Sequence, residues 1–98
     1  MNKAKIMKYL DDNGFKHSIK GFGYLITAID LSVEVPEKLD EVCKFYAEVG
    51  KIHNTTQSRA ERAIRHAIET SEVKKITNSE FIARARDHFI YEVMGNHE

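Results

Sequence analysis

Apolar residues recur along the 98-residue chain at three- and four-residue intervals, and no run alternates apolar with polar positions for long. With a single proline, that period predicts an all-α fold, a compact bundle of about five to six helices in one domain over residues 1–98. Ile6, Met7 and Leu10 mark a first helix over 3–13, which Gly14 stops. Phe22, Leu25, Ile26 and Ile29 mark a second over about 20–31, with Gly21 and Gly23 weakening its first turn. Pro36 suits the first position of a third, carrying Leu39, Val42, Cys43, Tyr46 and Val49 either unbroken or in two pieces. Cys43, among these apolar neighbours, is expected as a small buried hydrophobe. Asn54 can take the left-handed conformation that ends this helix.

Thr56 is the preferred cap of the next helix, with Thr55 as a competitor, while a capping box from Ser58 to Glu61 starts it two residues later. The pair Thr77 and Glu80 caps a last helix whose core stripe is Phe81, Ile82, Ala85, Phe89 and Val93, ending near Gly95.

The helix at about 56–71 is the most informative. At 100° per residue Ala60, Ala63, Ile64, Ala67 and Ile68 share one side. Ser58, Arg62, Arg65 and Glu69 project from the opposite side, flanked by Arg59, Glu61 and His66. A turn-prone Asn-Thr-Thr precedes it, and Gly50, Ala60 and Ala63 are small where two helices of a helix-turn-helix would cross. Arginine can pair bidentately with guanine edges, and Ser, Glu and His can bond other bases or phosphates. Spacing alone also fits an amphipathic helix whose arginines are solvated or paired, since Glu61 with Arg65 and Arg65 with Glu69 stand at i, i+4.

Charge does not decide between them globally, because 15 basic and 15 acidic residues cancel. Distribution is more telling: Lys51, Arg59, Arg62 and Arg65 face the single acid Glu61 between residues 51 and 66, next to an acid-rich stretch over 34–48. No apolar run reaches membrane-spanning length and no signal-peptide core opens the chain, so a cytoplasmic location, nucleoid-associated when bound to DNA, is expected. One cysteine cannot form an internal disulfide, and the five histidines lack i, i+4 ligand spacing, so neither a metal site nor a cofactor is expected. His88 reads as a surface residue and His97 as part of a tail. Gly21-x-Gly23 lacks the rest of a phosphate loop, and no nucleophile–base spacing stands out, which argues against an enzyme.

The stretch NTTQSRAERAIRHAIE at Asn54–Glu69 closely resembles the recognition region of the DNA-binding effector domain of the master sporulation response regulator, the stage zero sporulation protein A family. The likeness extends upstream through IKGFGYLITAI at Ile19–Ile29 and downstream through TNSEFIA at Thr77–Ala83, without gaps from Gly14 to Glu69. It implies an all-helical fold with a helix-turn-helix whose second helix enters the major groove of double-stranded DNA. By the resemblance, Glu61 and Arg62 match residues that meet base edges of a short box. Ser58, Arg59, Arg65 and His66 match positions contacting bases or phosphates, and Lys20 is a weaker match to a phosphate contact.

Two departures shape the expected function. The family protein carries an amino-terminal receiver domain for which these residues leave no room, so the chain reads as an excised domain or a stand-alone relative. Between Glu69 and Thr77 it has only TSEVKKI, where the family has a longer segment that helps contact the polymerase sigma subunit. Gln57 and Ala60 also differ from the usual family residues. The resemblance therefore implies a sequence-specific transcriptional regulator that represses or competes rather than activates, as a weak homodimer or in tandem on DNA. The alternative is a protein-interaction antagonist of the full-length regulator or its partners.

Overall fold

A computed structural model describes residues 2–95 of the chain, with side chains to residue 92. Five helices follow one another: α1 (Lys3–Asp12), α2 (Lys20–Glu34), α3 (Val42–Ile52), α4 (Gln57–Glu69) and α5 (Asn78–Gly95), with a 3₁₀ turn at Pro36–Asp40 before α3. No strand occurs among the described residues.

The helix ends follow the local chemistry. Asn2 caps α1 by accepting from the Ala4 amide at 2.8 Å. Gly14, at φ +76°, ends it in the left-handed conformation. There the Phe15 amide donates to the Leu10 carbonyl and the Gly14 amide to that of Asp11, each at 3.0 Å. Phe15 and Leu10 are both buried, adding the apolar contact that accompanies this motif. The second helix runs three residues past the expected Leu31, and Ser32 is accommodated, buried in its last turn, by donating its hydroxyl to the Ile29 carbonyl at 2.7 Å. Of the two forms expected for the third helix, the broken one occurs: Pro36 opens the 3₁₀ turn, and the α-helix starts afresh at Val42.

Ile6 and Leu10 of α1, Phe22, Leu25 and Ile29 of α2, Phe45 and Val49 of α3, Ile64 and Ile68 of α4, and Phe81, Ile82 and Phe89 of α5 share one core. Burying a side chain of this size contributes about 1.5–3 kcal/mol. Cys43 departs from expectation. It is exposed, because α3 turns Phe45, Tyr46 and Val49 inward and leaves positions 42 to 44 facing out. The expectation for Val93 as a core residue falls outside the described side chains, and that for His97 outside the described residues. No helix among the described residues is long and apolar enough to cross a membrane.

Candidate nucleic-acid interface

The turn between α3 and α4 fixes how α4 is presented. Asn54 is at φ +57°, the left-handed position expected from its side chain. The Thr55 amide donates to the Gly50 carbonyl at 2.7 Å and the Asn54 amide to that of Lys51 at 3.2 Å, which closes α3 as a Schellman motif. The Thr56 hydroxyl then accepts from the Arg59 amide at 3.1 Å, so Thr56 is the cap and the alternative start at Ser58 is not used. Gly50 is buried near the end of α3, where a small residue was expected. It lets the turn fold back: a Cβ there would stand 2.9 Å from the Thr55 carbonyl oxygen and 3.0 Å from Thr56 backbone. His53 ties the turn to α2, its Nε2 lying 2.6 Å from the Thr27 hydroxyl and its ring centroid 4.6 Å from that of Tyr24. Burial pulls the His53 pKa down, and the Lys3 charge adds to the effect.

The two faces of α4 separate as its periodicity requires. Ala60, Ile64, Ala67 and Ile68 are buried. Ser58, Arg59, Arg62, Arg65 and His66 are exposed, and Glu61 is half-buried at the margin. The buried side packs on α2 and α3. Against α2 the approach is so close that a Cβ on Gly21 would meet the Ala63 carbonyl and stand 2.7 Å from the Ala67 Cβ. This contact was not legible as such, because Gly21 read only as a weak helix position. Its signal was the pairing of a glycine in one apolar helix with alanines in another. Lys20, exposed on the residue before Gly21, therefore lies beside α4.

Ion pairing touches part of the exposed face. Arg65 Nη2 donates to Glu61 Oε2 at 2.9 Å, and both side chains remain substantially accessible (52% and 35%). Such a pair contributes about 0.3–0.5 kcal/mol on a helix surface and exchanges readily for another partner. Arg59 and Arg62 have no carboxylate partner among the described residues. Beside this face an open groove of about 720 Å³ runs between α4, the start of α3 and the connection into α5. Glu61, Arg62 and Arg65 line it together with Tyr46, Cys43 and Lys74, the last two unforeseen as groove residues. Burial raises the pKa of the Tyr46 phenol. Asn78 closes one end of the groove, its side-chain amide donating to the Glu61 carbonyl at 3.1 Å.

The arrangement is a solvent-facing side bearing Arg59, Arg62, Arg65 and His66 on a helix packed against α2 and α3, joined by a four-residue turn to a bracing helix. These are the parts by which a helix is inserted into the major groove. In a comparison with known protein families, the model described as Spo0A_C, sporulation initiation factor Spo0A C terminal, matches residues 6–74.

Proposed function

The chain belongs to the Spo0A C-terminal family of sporulation-regulator DNA-binding domains, which are not enzymes, and from that premise we propose that α4 is its sequence-reading element. In this reading the described helices act as one recognition unit on a short sporulation-regulator-type box. Arg62 reads a base edge, most simply guanine through its two parallel donors. Glu61 accepts from a cytosine amino group or holds Arg65 in place. Ser58, Arg59, Arg65 and His66 divide base and phosphate contacts, and Lys20 meets phosphate. The observation that carries the reading is that Arg59 and Arg62 stand exposed, with no carboxylate partner among the described residues, on a helix whose other side packs on α2 and α3. A helix already packed against its neighbours need not be ordered on binding, so only the rotamer freedom of its side chains is lost when they meet a base.

Two further points belong to the same proposal. A single α4 covers little DNA, so two copies act on adjacent half-sites, with a weak monomer–dimer equilibrium in free solution. Sedimentation of the free chain checks this, and a tight dimer without DNA overturns it. The short connection after α4 supports a regulator that acts by occupying sites rather than by recruiting polymerase.

The direct test is selection of duplexes from a random-sequence pool by the purified chain, followed by titration of the selected duplex and a scrambled one. A shared motif and a clear preference for it support the reading. Enrichment of no motif, or equal affinity for both duplexes, contradicts it.

A further inference from the structure

We propose that Lys74 contacts the DNA backbone on the flank of α4 opposite Lys20, so that the short α4–α5 connection is a phosphate clamp. The inference rests on α4 being the recognition helix and adds a binding residue that the sequence reading did not assign.

The placement follows from the geometry of α4. At 100° per residue, Ala63 and Ala67 lie on one side of the line through Arg62 and Glu69, and Glu61 and Ile68 lie on the other. Gly21 abuts Ala63 and Ala67, which places the start of α2 and its exposed Lys20 on the first flank. Lys74 borders the groove that Glu61 and Ile68 line, which places it on the second. A major groove is about 12 Å wide, and a helix with its side chains is about 10–12 Å across. A helix seated there has a sugar-phosphate strand along each flank. Lys20 and Lys74 are placed to meet one strand each.

The connection is held in shape on either side of Lys74, which positions its backbone beside α4. Ser71 is buried and donates its hydroxyl to the Ile68 carbonyl at 2.7 Å, while accepting from the Val73 amide at 3.1 Å. The Glu72 amide donates to the Asn13 carbonyl at 3.3 Å. At the far end the Thr77 hydroxyl caps α5 through the Glu80 amide at 3.2 Å. Lys74 itself is exposed and has no carboxylate partner among the described residues.

Charge gives a second argument. Apart from Lys74, the groove carries Arg62 and Arg65 against Glu61 and Glu69, so its formal charges cancel. Lys74 makes the groove net cationic, as a polyanion requires. Its neighbour Lys75 does not border that groove; it lines an adjoining depression with Lys74, Glu72, Glu80 and Arg84, and so serves as an internal control.

Salt titrations of the full chain on a selected and a scrambled duplex test the clamp. Lys74→Ala should weaken both duplexes by the same factor and reduce the slope of log affinity against log salt by about 0.9. Its deficit then shrinks about threefold between about 50 and about 200 mM salt. Lys74→Arg should restore the wild-type slope, and Lys75→Ala should leave it unchanged. A Lys74→Ala slope equal to wild type, or an identical effect of Lys75→Ala, overturns the clamp while leaving the α4 reading intact. A wild-type chain without DNA affinity overturns both.

Discussion

Glu61 and Arg65 pose the sharpest question at the scale of single residues, because one ion pair serves two readings. As a helix staple the pair contributes a few tenths of a kcal/mol, and Glu61→Gln should change stability by less than about 0.5 kcal/mol. As part of a reading head the same substitution alters base preference at one position. Chemical denaturation and duplex selection on the Glu61→Gln chain separate the two, and unchanged selectivity would reduce the pair to a staple. His53 makes a different prediction. Burial and Lys3 hold its folded pKa below the ordinary value of about 6.5. The unfolded chain therefore binds the extra proton first, and the stability from neutral His53 is present above about pH 6.5 and lost as pH falls through the folded pKa. His53→Gln should flatten part of the decline in stability between about pH 7 and pH 5. An unchanged pH profile would contradict that role.

Among the elements, the α2–α4 crossing and the α3–α4 turn decide where the exposed face of α4 points. Gly21→Ala forces a methyl group against the Ala63 backbone, which cannot swing aside as a flexible side-chain end does. We expect a destabilisation of about 1–3 kcal/mol by thermal or urea unfolding, with weakened DNA binding as α4 is displaced. Wild-type stability in that variant would mean that the helices separate freely. Asn54→Ala should cost about 1–2 kcal/mol, because alanine disfavours the left-handed conformation, whereas Asn54→Gly should be tolerated. The elements themselves were largely legible in the sequence. Gly14, Pro36, Asn54, Thr56 and Thr77 act through their own backbone or hydroxyl, and the structure uses each where its chemistry predicts. The outward side of α4 was legible for the same reason, since period alone fixes it. What escaped were properties of tertiary contact. Cys43 sat in an apolar run, yet the restart of α3 at Val42 turned it outward. Lys74 lies in a stretch without periodicity, so only the path of the connection could bring it beside α4.

For the whole molecule, the balance of 15 basic and 15 acidic residues conceals the division that matters. A chain of zero formal charge gains little long-range attraction to DNA, so on the proposed reading its affinity comes from local contacts on and beside α4. The salt slope should accordingly reflect a few phosphate contacts per chain rather than a broad basic surface. The most direct test of the central claim, that α4 reads base sequence, is titration of the Arg62→Ala chain against wild type on a selected and a scrambled duplex. Arg62 is exposed, so its removal leaves the fold in place. The account predicts a loss of about 1–3 kcal/mol on the selected duplex, little change on the scrambled one, and relaxed preference at a single base position. Equal small losses on both duplexes would contradict it.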